Sequence, residues 1–306
     1  MQNQLSDRYD QITLQQQTLL DAEFSSRLVT VGKGADGAPI DVVVRELGHG
    51  PRAIVLLHGI GSGSATWLHV AMALAEAAPG VRVIAWDAPG YAESTPLPDG
   101  QPKGTDYASR LSQLLQALSV RSAVLVGHSL GAFTACAAAH QLGSGVVARL
   151  VLVSPAGGYG APGQEEQRAK VYAQRIGNLA EVGIVGMAEA VGQPGARMCA
   201  PDASEAARAW VRWNMARLNE GGYRQAVEML CGDSLRRYAP VAMPAEVHCG
   251  DMDIVTPPAS CQAVAKDFDA SFTLISGPGH ASPIEKPEAV AAFIANAAAQ
   301  AWGAQK

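Results

Sequence analysis

Residues 122–139 read SAVLVGHSLGAFTACAAA. The stretch passes from apolar, strand-forming residues to small ones, with Ser129 framed by Gly127 and Gly131. The pentapeptide GHSLG matches G-x-S-x-G at the end of a predicted strand and the start of a predicted helix. A chain reversing there must hold its serine in a strained turn, and bulky side chains two positions to either side would clash. The glycines therefore predict an exposed serine at the carboxyl edge of a sheet. At a helix start, backbone N–H groups also face any negative charge that develops nearby.

Outward from this point the same alternation recurs. AIVLLHG, VRVIAWD and ARLVLVSP are short apolar runs like SAVLVGH, each suited to a strand buried on both faces of a parallel sheet. WLHVAMALAEAA, DYASRLSQLLQAL and GAFTACAAAHQLG read as the helices between them. FSSRLVTVG and IDVVVRELG alternate as two half-exposed strands joined by the KGADGAP turn. The pattern predicts an α/β fold, a mostly parallel central sheet flanked by helices. After VSPAG the strands stop. Residues 156–240 read as helices and turns (QEEQRAKVYAQRIGNL, SEAARAWVRWNMARLN, GYRQAVEMLCG), an inserted helical cap. Strands resume with AEVHCGD and SFTLISG before a last helix, PEAVAAFIANAAAQAW. The organisation expected is an N-terminal arm or helix (1–23), a first core part (24–155), the cap (156–240) and a second core part (241–306).

A serine hydroxyl needs a base to take its proton. Of the seven histidines, His280 stands out in GPGHASPIEKPEAV, on a loop after a predicted strand and at the same sheet edge as Ser129. His128, adjacent to the serine, points elsewhere and packs or lines the pocket. The base needs a carboxylate to fix its tautomer. HCGDMDIVTPP offers Asp251 and Asp253; Asp253 is favoured because the loop turns after it, and Asp251 remains the alternative. The strand ending in VLVSP carries Ser154, so it offers no carboxylate. VLLHGIGSGSATW ends another strand in a glycine-rich loop, where the N–H of Ile60 pairs with that of Leu130 as an oxyanion hole. Gly59, Gly61 and His128 are expected to line the pocket. The loop lacks G-K-[ST] and the dinucleotide spacing, which argues against a phosphate loop.

In AWVRWNMARLN, Trp210, Trp213, Asn214 and Arg217 share a helix face at i, i+3, i+4, i+7. Facing the site, Trp210, Trp213 and Arg217 would form an apolar wall with one carboxylate-binding cation. Facing away, they would pack the cap, with the arginine solvated.

With HGIG, DAPGYAES, GHSLG, GDMDIVTP and GPGHASPIEKP in this order, the chain resembles the α/β-hydrolase fold superfamily in its capped form, over about residues 24–302. The resemblance implies a Ser-His-Asp hydrolase with a mobile helical cap, its triad falling on Ser129, His280 and Asp253. HGIGSGSATW is similar to the loop of meta-cleavage product hydrolases, which cut C–C bonds in ring-fission dienones. Those enzymes usually carry a tryptophan directly after the histidine, where this chain has Ala281. The motifs look equally like esterases, lactonases and cofactor-free haloperoxidase-type members. The expected activity is hydrolysis of small carboxylic esters or lactones. C–C hydrolysis, acyl transfer and ligand reception on the same fold are the alternatives.

Composition bounds the partners. The 306 residues are 48% hydrophobic, enough for one large domain, and the formal net charge is −5 without a Lys/Arg run. That excludes an electrostatic footprint for nucleic acid. No apolar run is long enough for a membrane span, and the N-terminus lacks the pattern of a secretory signal. The five cysteines show neither metal spacing nor an even count, which suits free thiols in the cytoplasm. A small-molecule substrate is expected, with no metal and no organic cofactor. A homodimer is the one assembly left open.

Overall fold

The computed structural model describes residues 2–303. The helix α1 (Gln2–Glu23) accounts for the N-terminal arm from Gln2 onward; Met1 and residues 304–306 lie outside the described residues. Two strands follow, β1 (Ser26–Lys33) and β2 (Pro39–Leu47), antiparallel to each other. The alternation continues through β3 (Arg52–Leu57), a 3-10 turn (Ser64–Trp67), α2 (Leu68–Ala77), β4 (Arg82–Trp86) and α3 (Gly104–Ala117). It goes on with β5 (Ser122–His128), α4 (Gly131–Leu142) and β6 (Val147–Val153). The helical insertion comprises α5 (Glu165–Val191), α6 (Glu205–Ala216), α7 (Glu220–Gly232) and a 3-10 turn (Leu235–Tyr238). The chain closes with β7 (Ala245–Gly250), α8 (Pro258–Asp267), β8 (Ser271–Ile275), α9 (Ser282–Glu285) and α10 (Pro287–Trp302).

The eight strands form one sheet in the order β1-β2-β4-β3-β5-β6-β7-β8, parallel from β4 onward. Its middle is buried on both faces, as the apolar runs require. On β3, Val55 and Leu57 join one core layer while Ile54 and Leu56 join the other. On β5, Leu125 and Val126 divide in the same way. Period-2 alternation sends successive side chains to opposite faces, so a run with no polar residue needs cover on both. The loops after β3, β5, β7 and β8 all leave the sheet at its carboxyl edge, which gathers the sequence motifs there.

The insertion differs from the pattern in one place. The sequence predicts a helix near residues 164–179, but α5 continues to Val191 across a kink at Gly183, where φ is 63°. With φ 63° and ψ −178° Gly183 leaves helical geometry, so α5 is two helical pieces meeting at a kink, a conformation that a residue without Cβ takes at little cost.

Candidate active site

Ser129 adopts φ 51°, a conformation few non-glycine residues take, on the turn between β5 and α4. Three backbone hydrogen bonds enforce it. The Ser129 N–H donates to the Val153 carbonyl (3.0 Å), and its own carbonyl accepts from Ala132 (3.2 Å) and Ala156 (3.1 Å). The glycines earn their places sterically. A Cβ at Gly127 would lie 2.7 Å from Ala132 Cα, and one at Gly131 would drive into the Leu57 carbonyl oxygen. Leu130 caps α4 and is buried beside the serine.

The glycine-rich loop packs directly on this turn: a Cβ at Gly59 would stand 3.0 Å from Ser129 Cβ. Three side chains that sequence reading left without a role hold the loop. His58 Nε2 accepts from the Ala88 N–H (3.0 Å), which leaves the proton on Nδ1 to donate to the Gly59 carbonyl (2.8 Å). Burial lowers the His58 pKa, in keeping with that neutral ring. The Tyr91 hydroxyl donates to the Ile60 carbonyl (2.9 Å). The Asp87 carboxylate accepts from the Ser64 N–H (2.7 Å) and hydroxyl (2.8 Å). Asp87 and Tyr91 belong to DAPGYAES and His58 to HGIG, so motif membership was the available signal.

His280 and Asp253 meet although they leave different strands. His280 Nδ1 lies 2.9 Å from Asp253 Oδ2, with both residues 2% exposed. Asp253 is oriented from its own loop: Oδ1 accepts the N–H groups of Val255 (2.8 Å) and Thr256 (2.9 Å), and Oδ2 accepts the Thr256 hydroxyl (2.9 Å). Burial works against its charge. The His280 bond, the His280 charge and the Thr256 N–H outweigh burial and hold the carboxyl at about 2. Asp251 does not reach the histidine; its Oδ1 accepts the Gly277 N–H (2.8 Å) and braces the same loop.

His128 faces His280, with ring centroids 5.0 Å apart, and meets Trp67 edge-on at 6.3 Å. Its Nε2 bonds the His280 carbonyl at 2.8 Å and so carries a proton. Burial first, and His280 second, push its pKa down to about 3, so the ring is neutral.

The insertion covers the glycine-rich loop with a different face from the one the tryptophans occupy. Met215 Sδ would lie 3.2 Å from a Cβ at Gly61, and Ile60 packs against the apolar cluster of Leu179, Met215, Tyr223 and Val227. Trp210 stacks on Trp213 (4.4 Å) and donates from Nε1 to the Ala65 carbonyl (3.3 Å). Arg217 lies exposed over Trp213 at 4.5 Å. Asn214 donates to its own helix at Trp210. These contacts pack Trp210 and Trp213 against each other and tie α6 to the core at Ala65, with Arg217 exposed over Trp213. Among the described residues no group of three or more His, Cys, Asp or Glu is gathered as for a metal ion. All five cysteines are buried and unpaired. No helix among them is long and apolar enough to cross a membrane.

Comparison with known proteins places the chain in a family. The profile of the Alpha/beta hydrolase family matches residues 54–293. The chain belongs to the α/β hydrolase family. Its relatives include a 2-hydroxy-6-oxononadienedioate/2-hydroxy-6-oxononatrienedioate hydrolase of Dechloromonas aromatica, 30% identical over 48% of this chain and 50% of that one. A Pseudomonas putida protein named for the same reaction is 31% identical over 37% of this chain and 39% of its own length. The chain spans half or less of the length of these curated relatives. Among solved structures, an esterase from Thermogutta terrifontis superposes with TM-score 0.75 at 22% identity, over 90% of this chain and 98% of that one. An enol-lactonase from Burkholderia xenovorans superposes with TM-score 0.73 at 23% identity, over 84% and 96%. At such identities the superpositions speak for the fold alone.

Proposed function

We propose that this protein is a serine hydrolase of small carboxylic esters or lactones, working through an acyl-enzyme on Ser129. The observation that carries the reading is the 2.9 Å bond between His280 Nδ1 and Asp253, on the sheet edge where Ser129 is held at φ 51°. Asp253, ionised well below neutral pH, keeps the His280 proton on Nδ1 and leaves Nε2 bare as the base. His280 takes the Ser129 proton as the oxygen attacks the acyl carbon. The oxyanion rests on the N–H groups of Ile60 and Leu130. The leaving group takes the proton back from His280, and water activated by the same ring releases the acid. In this reading every step uses the protein's own side chains, its backbone N–H groups and water.

The α5–α7 insertion acts as a cap in this reading. The cluster against Ile60, with Met215, Ile184 and Met187, is apolar, which suits an uncharged acyl or alkyl group. Five unpaired thiols suit the cytoplasm, the compartment we propose. A second reading, C–C hydrolysis of ring-fission dienones, is favoured by the relatives named as dienedioate hydrolases.

The test is intact-protein mass spectrometry after a fluorophosphonate, with Ser129→Ala alongside. One adduct on the wild type and none on the variant are expected. An unlabelled wild type would sink the activated serine and leave a receptor or scaffold. A screen of p-nitrophenyl esters, lactones and ring-fission dienones then separates the two readings by which substrate turns over.

A further inference from the structure

The two peptides that flank His280 are bonded to the helical insertion and not only to the core. Glu285, on the short α9, uses both carboxylate oxygens as acceptors. Oε1 takes the N–H of Gly279 (3.0 Å), the residue before the histidine. Oε2 takes the N–H of Ala200 (2.8 Å), in the segment joining α5 to α6. On the other flank the Ala281 N–H donates to the Met198 carbonyl (2.8 Å). The two backbones run in contact here: a Cβ at Gly279 would stand 2.6 Å from the Ala200 nitrogen. Cys199 and Ala281 close the seam as part of one small apolar cluster with Val211. The His280 carbonyl is tied to the core, through His128.

We propose that Glu285 is a positioning residue that couples the cap to the catalytic histidine, one carboxylate bridging the Ala200 N–H of the cap and the Gly279 N–H of the His280 loop. A carboxylate that accepts two backbone N–H groups from separate segments fixes their spacing, because both bonds lose strength steeply with misalignment. A shift of residues 198–200 therefore carries Gly279 and Ala281 with it, and the ring between them turns relative to Ser129. The reaction needs the base held within a fraction of an ångström, and a displacement of 1 Å costs on the order of 100-fold. The inference rests on the assignment of His280 as base.

The experiment compares wild type, Glu285→Gln and His280→Ala on the best ester of the screen, with amide exchange read by mass spectrometry. Glutamine offers one acceptor oxygen and sets its NH2 against the second N–H, so one of the two bonds is lost. The expected result for Glu285→Gln is a kcat lowered about 10- to 100-fold with KM nearly unchanged. Fluorophosphonate labelling slows in parallel, and exchange quickens together in peptides covering 196–203 and 276–282. Wild-type kcat in Glu285→Gln, or faster exchange in one peptide alone, overturns the coupling. Should Glu285→Gln not fold, Glu285→Asp is read in the same way, since its shorter arm cannot span both N–H groups. His280→Ala separates the two failures. If it keeps activity, the assignment of the base is wrong; if it is inactive while Glu285→Gln matches wild type, only the coupling is wrong.

Discussion

The Ser129 turn and the helical insertion both border the same space, yet they are built by different rules. At the turn the constraints are close backbone contacts and hydrogen bonds that leave no room for side chains at Gly127 and Gly131. Gly127 and Gly131 exist because backbone atoms of Ala132 and Leu57 occupy the room a Cβ would need. In the insertion the constraints are long-range contacts between amphipathic helices. Trp210 reaches the 3-10 turn at Ala65, Tyr9 of α1 reaches the Gly192 carbonyl, and Arg212 binds Glu189 and Asp10. A short motif can encode the first kind of constraint, whereas helical spacing alone does not say which side of a helix meets which neighbour. Under the proposed function, the reacting groups belong to the sheet edge, while the insertion shapes the pocket and, through Glu285, braces the histidine loop.

The sharpest way to break that division is to remove reacting groups at the edge. Ser129→Ala and His280→Ala should each lower kcat/KM by roughly 10⁴-fold or more with the fold intact by circular dichroism. Asp253→Asn should lose on the order of 10⁴-fold, because the amide no longer fixes the His280 tautomer. Near-normal turnover of ester by any of these three would dismantle the triad. Next in size is a purely steric test. Gly131→Val pushes a branched side chain against the Leu57 and His58 carbonyls, and should cost about 3 kcal/mol in urea unfolding, at the upper end for overpacking.

Protonation provides a third, smaller probe. Folded His128 titrates near 3, well below its ordinary value, so below about pH 6.5 the unfolded chain binds a proton that the folded chain refuses. Its contribution is present above that pH and declines as pH falls toward 3. The loss should be about 2 kcal/mol between pH 6.5 and pH 5. His128→Gln should flatten the stability-against-pH curve in that window, and an unchanged slope would contradict the neutral buried ring. Asp253 titrates near 2, so its contribution is full above about pH 4 and fades only as pH falls toward 2, outside the His128 window. The smallest effect belongs to the insertion. Met215→Ala opens space over Gly61 and should shift preference toward longer acyl chains by a few fold, about 1 kcal/mol, without changing the fluorophosphonate labelling rate. A labelling rate that falls with Met215→Ala would mean that the cap shapes the reacting groups as well as the pocket.

Much of the candidate site is legible in the sequence alone. Ser129 and His280 each stand in a motif whose glycines and prolines have a steric meaning, and the strands around them are apolar on both faces. The acid was open between Asp251 and Asp253 because both leave β7 within two residues of each other. Only the folded loop, with Val255 and Thr256 turned onto one carboxylate, separates them. The stripe of Trp210, Trp213 and Arg217 was open for a different reason. A helical face is amphipathic whether it meets a substrate or the protein, and the Ala65 carbonyl that receives Trp210 lies 145 residues away in the chain. The second helical piece of α5, which runs to Val191, follows the break at Gly183 and was not read from the sequence.

By itself, then, the amino-acid sequence determined the order of strands and helices, the strained serine turn and the histidine loop. Each of these leaves a mark in a short stretch of sequence, as period-2 or 3.6 patterning or as glycines at fixed spacing, even where the contacts that enforce it come from distant strands. Tertiary structure alone decided which aspartate meets His280, which face of α6 looks toward Gly61, and that Glu285 joins residues 200 and 279. Those choices turn on how loops fold and on distances between segments far apart in the chain, which only the packed structure sets.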